Sequence, residues 1–545
     1  MRFLDRSLSP PSETDPGLFS KLYFMWSYRK PPKMETAVPQ SLMDAIRQET
    51  QNLIHENPAL LNPDLDPSDR FEDQERRWFD FVNQLCNKVM RGFADHLVGH
   101  LSGANVFNLF HTIGSAGGLY TLLAPYFVAF SHFTRDRAFI ADVADRFADK
   151  RESGAAVSGE VRVAHFTDTF YEVNGVALTL NQQVDIARKS NKNLTVITCD
   201  TGDRSQRTGV RNFEPIGVRE LPEYPEQKIF YPPFLEMLNY CCEQNFTHIH
   251  AATPGPIGLA ALAIAHILKL PIHGTYHTAL PQYARYLTGD AAIEDLTWKY
   301  ALWYYGRMDA VYVPSRSTGD ELVARGLPPE KILLFPRGVD TRLFHPSKRN
   351  GYFKKHYAME DGPTKLLYVG RVSREKNLPL LGEVFKTLAG ESANVHLLVV
   401  GEGPYLPEMK ADLAGFPVTF TGCKSGEDLA AIYASSDVFV FPSTTDTFGN
   451  VVLEAQASGL PVIVTDMGGP QENLDPGRTG FVVRGDDPQT FLAAVRKLTA
   501  DPDRLAWMGR AARVYMEKRS FEKAFDQTWR MYRHPQEGPE MARAV

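Results

Sequence analysis

Cysteine is scarce in this chain, and the few cysteines form no metal-binding or disulfide pattern. Among 545 residues there are five cysteines, and none belongs to a CxxC pair. They are Cys86, Cys199, Cys241, Cys242 and Cys423. Zinc sites and disulfide frameworks both rely on closely spaced cysteines. The sequence therefore offers no zinc site by spacing and is typical of a protein in a reducing compartment.

An excess of positive charge is also absent. The chain has 59 Lys and Arg against 65 Asp and Glu, which gives a formal net charge of -6. Broad nucleic-acid binding needs a basic face that neutralises phosphates, so we expect no nucleic-acid partner. The first residues, MRFLDRSLSPPSETDPG, lack the basic-then-apolar order of a secretory signal. We therefore expect a cytoplasmic location. Neither a GxGxxG nor a P-loop motif occurs in the chain.

Residues 1–158 differ in texture from the rest and predict a mostly helical extension of unknown role. Apolar residues recur at helix-like spacing around Phe79 and Leu85, and again in Asp136–Lys150. From residue 96 to 134 there is no Asp, Glu, Lys or Arg. This stretch fits a buried helical hairpin, an interfacial surface that touches lipid, or a membrane span. The residues Arg151–Glu160 are typical of a linker.

After this extension, short apolar strands alternate with helices in two successive runs. The first run includes VRVAHF, LTVITC and AVYV, and the second begins at KLLYVG and ends at PVIVTD. Such a pattern predicts parallel sheets covered on both faces, with ligands beyond the carboxyl ends of the strands. We expect one Rossmann-like lobe over 159–336 and a second over 337–519.

Two glycine-containing turns follow strands of the second lobe. The segment VGRVSREKN places Gly370 and Arg371 at a strand end and Lys376 five residues later. A diphosphate requires cations at such an edge, although a solvated charged turn has the same composition. The glycines of GEGP, Gly401 and Gly403, would allow a ligand to approach the backbone, but such turns are common.

A strand–loop–helix segment, FPSTTDTFGNVVLEA, carries the next signal. The helix is expected to begin near Asn450, so the backbone N–H groups around Phe448 and Gly449 would face phosphate oxygens. Glu454 lies about one turn inside the helix and can accept hydrogen bonds from ribose hydroxyls. Taken singly, Asp446 also fits a helix cap and Glu454 a surface carboxylate.

Together these motifs resemble the retaining family 4 glycosyltransferases of the GT-B fold. The family signature is an acidic residue, seven residues and then Glu, preceded by a GR…K diphosphate motif. Asp446 and Glu454 match the first part, and Arg371 and Lys376 match the second. The resemblance covers roughly residues 160–530, and it implies that a C-terminal helix at about 520–545 returns to the first lobe. It departs from the family at Asp446, where Glu is often found and where a shorter carboxylate has a different reach.

The resemblance implies roles for the matched residues. Arg371, Lys376 and Asp446 would act at the diphosphate and the transferred sugar, and Glu454 would hold the ribose. The remaining donor-binding residues of the second lobe would be Gly370, Gly401, Gly403, Cys423, Lys424, Phe448, Gly449, Asn450 and Val451. Of these, Cys423 and Lys424 belong to a TGCK segment whose backbone would face the base.

The first lobe would supply the acceptor side. DTFYEVNGVALTL resembles the family's glycine loop, in which Asn174, Gly175 and Val176 would let donor phosphate and acceptor approach the backbone. A simple turn before a helix is the alternative. His277, in HGTYHT at a strand end, matches the family's active-site histidine and would hydrogen-bond the donor sugar, with Tyr276 beside it. Arg316 and Arg337 are expected near the cleft as supporting residues.

The implied activity is transfer of a hexose from a UDP-sugar or GDP-mannose to an acceptor hydroxyl, with retention of the α configuration. No metal or other cofactor is expected, because the cations and backbone amides would replace it, and the absence of a DxD-type motif after a first-lobe strand agrees. A lipid or lipid-linked glycan is the expected acceptor, with peripheral membrane contact through residues 96–134. Aromatic residues of the first lobe point the same way, although core packing would also explain them: Tyr283, Tyr286, Trp303, Tyr304 and Tyr305. A non-catalytic nucleotide-sugar-binding or scaffold protein is the alternative.

Overall fold

The computed structural model describes residues 42–56, 71–101, 127–128, 130, 160–172, 174–201, 207–221, 224–335, 337–359, 362–391 and 394–533. The chain divides into two units, Met1–Asn57 and Pro58–Val545. The first unit contributes one described helix, α1 (Leu42–Glu56). The predicted helix over 136–150, the linker and most of the charge-free stretch lie outside the described residues.

The N-terminal extension contributes a long helix to the second unit, as the apolar spacing around Phe79 and Leu85 predicted. This helix, α2, spans Phe71–Leu101. Its buried face includes Leu85, Cys86 and Val89. Asn83 on the same face donates a hydrogen bond to Glu236 Oε1 at 2.7 Å. The helix therefore packs on the first α/β lobe.

The first lobe is built on a seven-stranded parallel sheet in the order β3-β2-β1-β6-β7-β8-β9. An antiparallel hairpin, β4–β5, stands beside it. Its inner strands are buried along nearly their whole length, as apolar strands covered on both faces should be. The strands are β1 (Arg162–Phe166), β2 (Asn193–Cys199), β3 (Val210–Phe213), β4 (Gly217–Leu221), β5 (Tyr224–Tyr231), β6 (His248–Ala251), β7 (Ile272–Thr275), β8 (Ala310–Val313) and β9 (Ile332–Leu334).

Helices connect these strands and cover both faces of the sheet. Several begin at side-chain caps: Asn174, for example, accepts the Ala177 N–H, and Ser315 accepts the Thr318 N–H. The first-lobe helices are α3 (Gly175–Lys189), α4 (Phe234–Glu243), α5 (Pro256–Leu268), α6 (Leu280–Thr288), α7 (Ala291–Gly306) and α8 (Arg316–Ala324).

The second lobe repeats the architecture with a six-stranded parallel sheet in the order β12-β11-β10-β13-β14-β15. The strands are β10 (Thr364–Val369), β11 (Val395–Val400), β12 (Val418–Gly422), β13 (Val438–Phe441), β14 (Val462–Thr465) and β15 (Gly480–Val483). The helices are α9 (Tyr352–Tyr357), α10 (Leu378–Glu391), α11 (Leu406–Asp412), α12 (Gly426–Ser435), α13 (Asn450–Ala457), α14 (Pro488–Thr499), α15 (Pro502–Met516) and α16 (Phe521–Arg533).

The last helix, α16, leaves the second lobe and packs on the first. Phe525, Trp529 and Tyr532 join an apolar cluster with Val163 on β1 and Leu194 on β2. The Tyr532 hydroxyl also hydrogen-bonds His250 Nδ1 at 2.6 Å.

The chain thus passes between the lobes twice, and the two passages touch. Val339 forms a β-bridge with Ser520. A Cβ on Gly338 would lie 2.4 Å from the Ser520 carbonyl oxygen, so only glycine allows the two passages to come this close. Among the described residues no helix is long and apolar enough to cross a membrane.

Candidate functional site

Two glycine turns bring the ends of β10 and β11 close together in the second lobe. Gly370 and Gly401 have φ angles of +154° and +138°, in the region that favours glycine. A Cβ on Gly401 would lie 1.9 Å from the Gly370 carbonyl oxygen, and one on Gly403 would lie 2.4 Å from the Val372 carbonyl oxygen. The neighbouring backbone therefore requires glycine at these positions, independently of any ligand.

A cation and a carboxylate meet where β10 and β13 end. Lys376 closes a short 3₁₀ turn after β10, and its Nζ lies 2.9 Å from Asp446 Oδ2. Their side chains are 20% and 23% exposed, so the pair is partly accessible to solvent. Asp446 does not cap helix α13, because that helix follows Gly449 and begins without a side-chain cap.

Arg371 reaches across to the first lobe. Its NH1 donates to the Tyr283 hydroxyl on α6 at 2.6 Å. The Arg371 carbonyl accepts a hydrogen bond from the buried Tyr368 hydroxyl at 2.8 Å, which fixes the backbone of the turn. The predicted cations Arg371 and Lys376 thus lie in one turn that faces the first lobe.

Glu454 lies one turn inside helix α13, and its side chain is directed into the protein. It is 9% exposed, and the fully buried Tyr433 donates its hydroxyl to Glu454 Oε2 at 3.0 Å. Burial raises the pKa of Glu454 from 4.5 to about 7, and the Tyr433 hydrogen bond opposes that rise. A carboxyl held in this way can accept hydrogen bonds from hydroxyl groups and changes its charge near neutral pH.

The N-terminus of α13 begins without a side-chain cap. Gly449, with φ +77°, precedes the helix and has no side chain to satisfy the first N–H groups. A Cβ on Gly449 would come within 3.1 Å of Pro470 Cγ. Phe448 is buried beside it, and Val451 packs partly on the core of the second lobe. The arrangement leaves a helix N-terminus of the kind that binds anions.

Side chains of the first lobe approach this helix directly. Arg337 NH2 lies 2.7 Å from His277 Nδ1, and Arg337 NH1 donates to Asn450 Oδ1 at 3.1 Å. The Thr447 hydroxyl donates to the His277 carbonyl at 2.9 Å. Burial, and then the charge of Arg337, lower the pKa of His277 well below its usual value, so its imidazole is neutral.

The glycine loop of the first lobe lies against the same helix. A Cβ on Gly175 would lie 3.7 Å from Asn450 Nδ2. Asn174 caps α3 through its Oδ1 and donates through Nδ2 to Thr169 Oγ1 at 2.6 Å. Val176 packs against the apolar cluster around Phe170. The loop is thus a helix-capping turn that also presents Gly175 to the cleft.

Glu472 forms another contact between the lobes. Its two carboxylate oxygens accept the backbone N–H groups of Arg316 and Ser317, each at 2.8 Å. These N–H groups open helix α8, so a second-lobe carboxylate occupies the N-terminus of a first-lobe helix. Arg316 therefore lies between the lobes, as expected, and its backbone makes the contact.

The side chains of some predicted site residues do not join the residues that meet between the lobes. Tyr276 is 1% exposed and packs edge-to-face on Tyr305, so its side chain belongs to the first-lobe core. Tyr304 and Tyr305 are also buried and donate to backbone carbonyls, which favours core packing for both. The side chain of Tyr286 is outside the described residues. Cys423 is exposed at the end of β12, with Lys424 next to it.

The structure adds contacts at the site that sequence reasoning did not assign. Tyr433 supports Glu454, Tyr283 meets Arg371, and Thr447 contacts His277. Tyr433 has no distinguishing signal, since it lies in an ordinary apolar helix. Within the described residues, no group of three or more His, Cys, Asp and Glu side chains is arranged to hold a metal ion.

Two family descriptions match the two lobes. Glycosyltransferase Family 4 matches residues 173–343, and Glycosyl transferases group 1 matches residues 363–501. The sulfoquinovosyl transferase of Arabidopsis thaliana is 31% identical over 372 residues, which cover 67% of this chain and 71% of that protein. A GDP-mannose-dependent alpha-mannosyltransferase of Mycobacterium tuberculosis is 32% identical over 357 residues, which cover 64% and 91% of the two chains.

Further similarities concern another relative and a solved structure. The alpha-monoglucosyldiacylglycerol synthase of Streptococcus pneumoniae is 29% identical over 318 residues, which cover 56% of this chain and 70% of that protein. The structure of Anabaena HepE in complex with UDP superposes with a TM-score of 0.56 and 18% identity, over 69% of this chain and all of that one. This likeness confirms the two-lobed GT-B fold that the motifs predicted.

Proposed function

The chain belongs to the family 4 glycosyltransferases, the glycosyl transferases group 1, and from that premise we propose that it transfers a hexose from a nucleotide diphosphate sugar to an acceptor hydroxyl with retention of the α configuration. Its identity as a glycosyltransferase confirms the expected enzyme class. The observation that carries the finer proposal is the convergence of His277, Arg337 and Asn450 in one hydrogen-bonded group between the lobes.

In this proposal the donor diphosphate lies between Arg371, Lys376 and the N-terminus of α13. Arg371 and Lys376 share one turn, and Gly449 leaves the first N–H groups of the helix without a side-chain cap. Negative charge develops on the leaving diphosphate as the sugar departs, and fixed cations and helix N–H groups stabilise it. Asp446 keeps Lys376 oriented until the diphosphate arrives.

Retention follows if the acceptor attacks from the face that the diphosphate leaves. The departing diphosphate oxygen then accepts the proton of the acceptor hydroxyl, so the enzyme need not supply a base on that face. Burial and the charge of Arg337 keep the imidazole of His277 neutral. His277 therefore hydrogen-bonds the sugar without competing for that proton. Closure of the lobes through Thr447 and Glu472 limits the access of water to the donor. The anomeric configuration of the product, measured by NMR, tests retention.

Donor identity is best tested by a thermal-shift panel of UDP-, GDP- and ADP-sugars. A ligand that binds only the folded state raises the unfolding temperature, so a specific rise with one donor identifies base and sugar together. Lys376→Ala should lose this rise. Lys386→Ala, a partly exposed lysine on α10 that pairs with Asp412, is the matched control and should keep it. If no nucleotide sugar stabilises the wild type, the proposed donor site is wrong.

We propose that transfer needs no metal ion, because Arg371, Lys376 and the α13 N-terminus supply the positive charge that a metal would otherwise provide. Activity should persist in the presence of EDTA. Loss of activity in EDTA, restored by Mg²⁺ or Mn²⁺, would contradict this part of the proposal. Donor hydrolysis in the absence of acceptor gives a second readout of the same step.

We propose a lipid or lipid-linked glycan as the acceptor. Relatives support it through their names, among them an alpha-monoglucosyldiacylglycerol synthase and a GDP-mannose-dependent alpha-mannosyltransferase. Peripheral contact with a membrane would bring the cleft to such an acceptor. Flotation with vesicles of anionic and zwitterionic lipids tests the contact, and transfer to diacylglycerol in mixed micelles tests the acceptor. Transfer to soluble sugars alone would refute the lipid acceptor.

A further inference from the structure

Arg337 lies between the lobes, where its guanidinium is next to two aromatic rings. It follows β9 at the start of the passage to the second lobe, and its guanidinium lies 5.5 Å from the ring centre of Phe335 and 5.0 Å from that of Phe448. Its Nε is buried without a hydrogen-bond partner in the described part of the chain. No carboxylate of a described residue forms an ion pair with it. The cation is therefore enclosed by two aromatic rings and donates its hydrogen bonds to His277 and Asn450.

A guanidinium can only donate hydrogen bonds, and this fixes the tautomer of His277. Since Arg337 NH2 lies 2.7 Å from His277 Nδ1, that nitrogen must present a lone pair. The single proton of the neutral imidazole is then on Nε2. Within the described residues Nε2 has no hydrogen-bond partner, because the contacts of His277 involve its Nδ1, its backbone and its ring. Its N–H is thus available to an oxygen of a bound molecule.

The same reasoning fixes the side-chain amide of Asn450. Arg337 NH1 lies 3.1 Å from Oδ1, and the amide nitrogen in that position would place two donors against each other. Nδ2 must therefore be on the opposite side, where it is 3.7 Å from the Cβ position of Gly175. The amide therefore presents its NH₂ group toward Gly175 of the glycine loop.

We infer that Arg337 is a positioning residue that sets the hydrogen-bond polarity of His277 and Asn450, so that both present N–H donors to the donor substrate. Arg337 acts through two hydrogen bonds, one to His277 in the first lobe and one to Asn450 in the second. The inference rests on the proposed function for the identity of the ligand, a nucleotide diphosphate sugar with acceptor oxygens on its hexose and phosphates. Without Arg337, each side chain can turn an acceptor atom toward these oxygens and repel them.

The direct test is the tautomer of His277 in the ligand-free wild type. Histidine labelled with ¹⁵N and ¹³C distinguishes Nε2–H from Nδ1–H by the ring nitrogen shifts, and His277→Asn assigns the resonance among the 15 histidines. We expect Nε2–H at neutral pH. An Nδ1–H tautomer in the wild type would overturn the inference, and this measurement requires neither a substrate nor a variant of Arg337.

Three variants extend the test to activity. Arg337→Met removes both hydrogen bonds and should lower kcat/KM by about 100-fold or more, as loss of a preorganised donor does. Arg337→Lys keeps the charge but replaces the planar fork that serves both side chains with a single ammonium, so we expect partial rescue, to about tenfold below wild type. Arg342→Met, an exposed arginine five residues later, is the matched control and should be within twofold of wild type, about the effect of a surface change.

The pH profile separates positioning from a merely structural role. Besides Arg337, the titratable groups that face His277 are His165 on β1 and His250 on β6, both buried. Removing the Arg337 cation should raise the pKa of His277, so the ring resonances of the labelled His277 should titrate at a higher pH in Arg337→Met than in the wild type. An unchanged profile, with kcat and KM near those of Arg342→Met, would overturn the inference.

Failure of this inference can be told from failure of the proposed function. If the wild type binds no nucleotide sugar while His277 is the Nε2–H tautomer, the proposed ligand is wrong and the polarity set by Arg337 still holds. If the wild type transfers sugar and Arg337→Met folds and does so equally well, Arg337 has no positioning role. Circular dichroism and thermal unfolding confirm folding, and a failure of Arg337→Met to fold leaves the decision with the tautomer and with Arg337→Lys.

Discussion

The substitution Glu454→Gln tests how much burial of the Glu454 carboxyl lowers the stability of the folded protein. Burial raises its pKa from 4.5 to about 7, even though Tyr433 donates a hydrogen bond to it. Because the pKa of Glu454 is higher in the folded protein than in the unfolded chain, the folded protein holds the proton more tightly. The protonated carboxyl therefore contributes to the free energy of unfolding. This contribution is fully present below pH 4.5 and is lost as the pH rises to about 7. At about 1.36 kcal/mol per pH unit, the loss approaches about 3 kcal/mol above pH 7.

Glutamine cannot ionise, so the variant should escape this loss. For a lobe of this size, 1 kcal/mol shifts the thermal midpoint by about 2–4 °C. We expect the midpoint of Glu454→Gln, relative to wild type, to rise by about 5–10 °C more at pH 8 than at pH 5. The measurement is differential scanning fluorimetry of both proteins across that range.

An exposed carboxylate provides the control. Glu427→Gln, on the neighbouring helix α12, should change the midpoint by the same small amount at every pH. If the difference between Glu454→Gln and wild type is also the same at pH 5 and pH 8, the buried carboxyl does not ionise in this range. The linkage reasoning would then be refuted.

The same variant should bind nucleotides less well. A carboxylate accepts stronger hydrogen bonds from ribose hydroxyls than an amide does, at about 1.5–3 kcal/mol for a charged partner. We expect the affinity for the nucleoside diphosphate at pH 8 to fall by about 10-fold or more. Calorimetry that finds unchanged affinity would remove Glu454 from the ribose site while leaving its pKa argument intact.

Three further substitutions test other parts of the site and fold. Lys376→Met should lower the rate of transfer by about 100-fold or more in steady-state assays, because it removes a fixed cation from the diphosphate site, and activity within tenfold of wild type would contradict that role. Tyr283→Phe removes the hydroxyl that meets Arg371 across the lobes and should raise the KM for the donor about fivefold, as loss of about 1 kcal/mol does. An unchanged KM would place that contact outside the working cleft. Trp529→Ala should destabilise the protein by about 3–5 kcal/mol in thermal unfolding, whereas Lys523→Ala on the same helix should have little effect, and equal effects would refute the packing argument.

Most of the strands that the sequence predicted are inner strands buried on both faces, and the exception is the edge strand β12, which is only partly buried. Runs such as VRVAHF and KLLYVG need continuous apolar residues, and this is a strong local signal. The strands that it missed are mainly short edges or the hairpin: β3, β4, β5, β9 and β15. An edge strand has a single partner, and VRNF and GVREL mix polar with apolar residues. Their pairing depends on neighbours that are remote in the chain.

The candidate site divides in the same way. The loop and helix that carry Asp446 and Glu454 form a local unit, so spacing alone predicted where α13 begins. The partners of these residues come from elsewhere: Arg337 meets His277 from 60 residues away, and Tyr283 meets Arg371 from 88 residues away. No periodicity connects such pairs, because only the closing of two lobes brings them together. Tyr276 shows the converse, since its place beside His277 in the chain puts its side chain into the core.

Helix α16 has a consequence for biosynthesis. The ribosome completes β9 at Leu334 long before it reaches Phe521, the first residue of this helix. At roughly 5–20 residues per second, the nascent first lobe waits about 10–40 s with the apolar surface over β1 and β2 still uncovered. A chain terminated near residue 520 would retain every strand of the second lobe, yet it is the earlier-made lobe that would be left unfinished.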